Sequence, residues 1–116
     1  MDSSESLGES RSRCLMHEWG LPTPTLRRRY ELCGHEYRAD FDWDGRLVGE
    51  FDGMGEYAAD DRIRDERARD ADFQQGGIEV VHWPWADAQD RPRLFRIITQ
   101  AMVRAGTLRA VPPFPG

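Results

Sequence analysis

The stretch Arg38–Gly53, RADFDWDGRLVGEFDG, is the part of this 116-residue chain that leaves the fold fewest options. Two alternating runs flank Asp44-Gly45. Acids stand at Asp40, Asp42, Glu50 and Asp52, and apolar residues at Tyr37, Ala39, Phe41, Trp43, Leu47 and Phe51. Residues two apart in a strand share a face, so the pattern predicts a hairpin with one apolar face and one face of carboxylates. A two-residue turn at Asp44-Gly45 would set even positions beside odd ones and split both sets across the sheet, which a buried face does not tolerate. A loop of odd length keeps each set together. The expected form is Trp43-Asp44-Gly45 with Gly45 left-handed, which places Asp40 on one face with Val48, Glu50 and Asp52.

The flanking sequence supplies the remaining elements. Ser6 and Glu9 have the spacing of a capping box. Leu7, Arg11, Cys14, Leu15, Glu18 and Trp19 fall on one side of a first helix, which Gly20 and Pro22 end. Leu26 to Leu32 reads as a strand carrying the run Arg27-Arg28-Arg29, and Cys33-Gly34 turns it into a second strand, Glu36 to Trp43. The third strand is Arg46 to Asp52. Gly53 and Gly55 bracket a loop into a charged helix over 58–75, with a thin apolar stripe of Ile63, Ala71 and Phe73 and a stop at Gly76-Gly77. Ile78 to Trp83 is an almost unbroken apolar run, as in a central strand covered on both faces. Asp90 caps a last helix with Pro92 in its first turn, and Leu94, Ile97, Ile98, Ala101, Met102 and Ala105 give it a strong stripe.

A helix between the third and fourth strands is a crossover. The expected fold is therefore α/β, in the order αβββαβα, with a mixed four-stranded sheet and flanking helices. It forms one domain over 6–106, with a frayed N-terminus at 1–5 and an unstructured proline-rich tail at 107–116.

Charge narrows the function classes. A net charge of −5 argues against a non-specific nucleic-acid coat protein, but not against an enzyme that holds a metal among carboxylates and meets DNA through local basic patches. All 16 basic residues other than histidine are arginine, so chemistry that needs a titratable ammonium is closed to this chain. No apolar run is long enough to span a bilayer, and MDSSESLGES is too polar for a secretory signal. The expectation is a cytoplasmic protein away from membranes, with Cys14 and Cys33 as free thiols.

With Asp40 in the second strand and Glu50-Phe51-Asp52 in the third, the chain resembles the PD-(D/E)XK, or restriction-endonuclease-like, nuclease superfamily. More narrowly, it is similar to the small bacterial endonuclease-like domains related to very-short-patch-repair endonuclease. The residues that carry the likeness are Arg38-Ala39-Asp40-Phe41, Leu47-Val48-Gly49-Glu50-Phe51-Asp52-Gly53, the helix segment Arg64 to Asp70, Val80-Val81-His82-Trp83 and Trp85-Ala86-Asp87. The resemblance implies a divalent-metal-dependent DNA endonuclease using magnesium or manganese. Asp40, Glu50 and Asp52 would be metal ligands and, with Glu9 from the first helix, the catalytic set. Arg28, Arg64 and Arg67 would meet nucleic-acid phosphates, with Arg62 and Arg69 as further sources of charge. Relatives often carry a lysine shortly after the Glu-x-Asp-Gly segment, where Glu56 stands, and another in the helix, where Glu66 stands.

Those glutamates set up the alternative: a catalytically degenerate module of the same fold that binds DNA or a protein partner. A separate DNA-binding chain or a second copy would then complete it. For the acids, the other reading is a solvated polar strand face. His82, on the apolar strand, reads as a hydrogen-bonded core histidine, and Trp83 and Trp85 as packing at the sheet end.

Overall fold

The computed structural model describes residues 3–53 and 60–116, with side chains described from residue 7 onward. The elements follow the order α1 (Ser3–Glu18), β1 (Thr25–Leu32), β2 (His35–Trp43), β3 (Leu47–Asp52), α2 (Asp60–Gln75), β4 (Glu79–Pro84), α3 (Trp85–Ala88) and α4 (Arg91–Arg104). The sheet order is β1-β2-β3-β4, antiparallel for the first two pairs and parallel between β3 and β4. The expected mixed four-stranded α/β architecture is what the chain adopts. The one-turn helix α3 is an addition to the expected order.

The hairpin has an odd loop. Phe41, Asp42 and Trp43 pair with Gly49, Val48 and Leu47, which leaves Asp44-Gly45-Arg46 as the three-residue connection, one position beyond the expected Trp43-Asp44-Gly45. Asp44 (φ 55°) and Gly45 (φ 68°) are both left-handed, and Arg46 N–H closes the turn on Trp43 O at 2.9 Å.

Two apolar clusters lie on opposite faces of the sheet. The larger, under α1 and α4, holds Leu15, Met16, Phe41, Trp43, Leu47, Phe51, Trp83, Leu94, Ile98 and Met102. The smaller, under α2, holds Ala39, Val48, Phe73 and Ile78, with Tyr30, Tyr37 and Val80 against it. The expected apolar set of the hairpin is therefore split: Tyr37 and Ala39 lie on the α2 side, Phe41 and Trp43 on the other. Alternation slips by one within β2 around Asp40, opposite the left-handed Arg27 (φ 55°) of β1. This local break turns a strand that looked one-sided into one that feeds both cores.

The buried face of α1 also differs from the expected stripe. Gly8, Ser12, Leu15 and Met16 are inside, whereas Leu7 is 64% exposed and Cys14 is exposed. Small residues sit where the helix comes down on aromatic rings. Trp83 Nε1–H donates to Ser12 Oγ at 2.9 Å, and Ser12 Oγ–H donates back to Gly8 O at 2.7 Å. The helix begins at Ser3, so Ser6 lies within it rather than capping it. β4 is an edge strand in the sheet order, yet α2 and α4 cover its two faces, which explains an apolar run that suggested a central strand. Asp90 caps α4 as expected, accepting from Arg93 N–H at 3.2 Å. The tail is irregular but docked: Phe114 meets Phe95 and Trp19 edge-on at 5.4 and 6.1 Å.

Candidate active site

Pairing between β2 and β3 stops at Phe41 and Gly49. Continuing that register brings Asp40 opposite Glu50. There the backbone bond is replaced by a side-chain one, Phe51 N–H donating to Asp40 Oδ2 at 3.2 Å. The strands part at this point, and a cleft of about 640 Å³ opens between the sheet and α2. Glu9, Asp40, Glu50 and Asp52 line it together with Arg38, Arg62, Arg69 and His82. A smaller cavity of about 190 Å³ lies on the α1 side of Asp40, bounded by Glu9, Arg13, Leu26, Arg27 and Phe41.

The centre of the cleft is a carboxyl dyad. Glu50 is 7% exposed, and its side chain is hydrogen-bonded to that of Asp40. Burial pushes the Glu50 pKa up to about 9; the neighbouring Asp40 charge adds to this, and Arg69 opposes it. The Arg69 guanidinium donates to Glu50 Oε1. Arg69 also donates to Arg38 O at 2.7 Å, and lies over the rings of Tyr37 and Phe73 at 5.8 and 5.6 Å. Tyr37 Oη–H in turn donates to Asp72 of α2 at 2.5 Å.

β4 contributes the group that reading the sequence left in the core. His82 is the register partner of Glu50, so both side chains leave neighbouring strands on the same face. Its Nε2 lies 2.7 Å from Asp70 Oδ2. Its Nδ1 lies 2.9 Å from Glu66 Oε1, within ion-pair distance though without the alignment of a hydrogen bond. Burial lowers its pKa, but Asp70 and Glu66 outweigh burial and raise it above the usual histidine value. Glu66, the wrong sign for a phosphate-binding position, thus faces the His82 ring across the cleft. The signal for this was the i, i+4 spacing of Glu66 and Asp70 facing a lone histidine on an otherwise apolar strand.

The expected residues fall into three groups. Glu9, Asp40, Glu50 and Asp52 share the cleft; among the described residues no three His, Cys, Asp or Glu side chains gather as a metal-holding cluster. Of the α2 arginines, Arg62 and Arg69 line the cleft at helical spacing with Asp65 and Glu66. Arg64 and Arg67 fall outside that stripe, Arg64 being 79% exposed and 3.9 Å from Asp61. Arg28 is committed to Asp42, 2.9 Å away and 1% exposed, which also accepts from the Tyr30 hydroxyl. Glu56 lies outside the described residues, as does the start expected for the charged helix at 58–59.

The donor set suits a hard cation. Two carboxyl side chains side by side offer oxygen donors of the kind taken by an ion of charge +2 that binds one or two carboxylates and keeps its other positions for water and phosphate.

No family model and no solved structure matches the chain. Two uncharacterized proteins of Mycobacterium tuberculosis, Rv2248 of strain H37Rv and MT2308 of strain CDC 1551, are each 33% identical to it over 107 residues. The aligned part is 88% of this chain but 39% of either relative, so the chain spans well under half the length of the curated relatives it matches. No described helix is long and apolar enough to cross a membrane.

Proposed function

We propose that this protein is a divalent-metal-dependent DNA endonuclease of the PD-(D/E)XK kind, acting in the cytoplasm, with Asp40 and Glu50 as its metal ligands. The observation that carries this reading is the Asp40–Glu50 dyad, placed where the strands part and at the floor of a cleft rimmed by arginines. Magnesium or manganese held there would lower the pKa of a water and neutralise charge on a phosphodiester. Asp40 is fixed for this work by Phe51 N–H. Arg62, on the α2 wall, suits a phosphate of the DNA backbone. Asp52 and Glu9, further along the cleft, suit the orientation of water.

The test is a nicking assay on supercoiled plasmid with magnesium and manganese, comparing the wild type with Asp40→Asn and Glu50→Gln. Metal-dependent nicking that both variants lose supports the reading. No cleavage by the wild type across single-stranded, duplex and mismatched DNA with either metal overturns it.

One observation favours the second reading, a non-catalytic module of the same fold that binds DNA or a partner chain. Arg69 already neutralises the dyad with side chains alone. DNA retention without cleavage would select it.

A further inference from the structure

Arg69 touches the dyad that the proposed reading gives to the metal, and two positive charges cannot share one small buried site at low cost. The guanidinium is tied to Glu50 at one end of its reach and to Arg38 O at 2.7 Å, while its plane lies against Tyr37 and Phe73. The anchors on the strand backbone and the rings are independent of Glu50. They can hold the side chain in the cleft when the ion pair opens, since a long cationic side chain keeps its stem packed while its head moves.

We propose that Arg69 is the gate of this site: a divalent ion binds Asp40 and Glu50 only by displacing the Arg69 guanidinium, and the displaced guanidinium then faces the substrate phosphate. The inference rests on the endonuclease reading and deepens it. It assigns to an α2 arginine both the competition with metal and the positive charge beside the phosphate, in a chain without lysine. In the apo protein Arg69 faces the two carboxyl groups; in the loaded one the ion takes that place, and Arg69 is released to a phosphate that brings its own negative charge.

The competition has a signature that a merely structural arginine would not give. Removing a unit positive charge beside two carboxyl groups strengthens their attraction for a divalent cation. Metal affinity should therefore rise when Arg69 is neutralised, even though nuclease turnover falls. Isothermal titration of magnesium and of manganese into the wild type, Arg69→Gln and Arg69→Met in one buffer reads this directly. Arg69→Met keeps an apolar stem on the Tyr37 and Phe73 rings should Arg69→Gln fold poorly, and Arg69→Lys retains the charge. The expected result is binding about tenfold or more tighter in the neutral variants, wild-type-like affinity in Arg69→Lys, and slower plasmid nicking in both neutral variants. Unchanged or weaker metal binding in both neutral variants overturns the gate. If the wild type still nicks DNA, that outcome leaves the endonuclease reading standing. Metal binding by none of the four proteins, with no nicking, sinks both.

Discussion

Gly8 of α1 lies directly on the ring of Phe51: a Cβ built there would come within 2.1 Å of Phe51 Cζ. Phe51 immediately follows Glu50, and its N–H holds Asp40, so this contact sets the distance between α1 and the dyad. Gly8→Ala should therefore cost stability by overpacking, about 1–3 kcal/mol, in spite of the better helix propensity of alanine. Urea denaturation measures it. A more stable Gly8→Ala would mean that α1 is not seated on Phe51 in solution.

Much of this arrangement was legible in the residues, and its failures have physical causes. Parity alone required an odd loop in the hairpin, because a buried face fixes register. The loop's placement, one residue later, was decided by Asp44 tolerating a left-handed backbone. The face of α1 departs from its apolar stripe because apolar side chains do not mark its buried side: Leu7 is exposed and Ser12 is buried. The helix is instead pressed on Phe51 and Trp83, where only Gly8 and Ser12 fit. The α2 arginines at the cleft, Arg62 and Arg69, differ from the expected Arg64 and Arg67 by helical phase, which depends on where Phe73 seats. His82 reads in the sequence as a hydrogen-bonded core residue; the bond is there, but its place in the cleft is set by Glu66 and Asp70, which belong to another element.

Arg28 illustrates how a run of arginines divides its labour. It pairs with a fully buried aspartate, so Arg28→Ala would leave Asp42 with the Tyr30 hydroxyl alone. The cost should be about 1–3 kcal/mol, the penalty of under-satisfying a buried charge, reduced from larger buried-pair values because Arg28 itself is 45% exposed. Thermal unfolding should show this loss, whereas the salt dependence of DNA binding should stay as in the wild type. A shallower salt slope with unchanged stability would instead return Arg28 to phosphate contact.

The protonated dyad makes a prediction about pH. Glu50 has a folded pKa of about 9 against an ordinary value of 4.5, so the folded state binds the extra proton. A raised pKa contributes stability that is complete below about pH 4.5 and is lost as pH rises through about 9. Glu50→Gln keeps a neutral group in place and removes this dependence. Urea midpoints measured from pH 5 to 9.5 should fall less steeply for Glu50→Gln than for the wild type. The two should differ by more than about 1 kcal/mol at the alkaline end. Parallel profiles would mean that Glu50 is ionised in the folded protein.

His82 gives the last prediction, and its sign is the same for a different reason. Both ring nitrogens face carboxylates, Nε2 at 2.7 Å from Asp70 and Nδ1 at 2.9 Å from Glu66, and only the imidazolium has an N–H on each side. Burial and Arg69 oppose that charge, yet Asp70 and Glu66 prevail and raise the pKa above 6.5. A base with a raised pKa contributes stability that is fully present below the ordinary value and disappears as pH rises through the folded one. His82→Gln should therefore be less stable than the wild type by about 1 kcal/mol near pH 5.5, with the gap closing as the wild-type imidazolium loses its proton. Because His82 joins β4 to α2, the loss should also appear as amide exchange around 66–70 that is faster in His82→Gln than in the wild type at acid pH and similar in the two at alkaline pH. A stability gap independent of pH would mean that the ring is neutral in the fold and that Glu66 has no cation in the cleft.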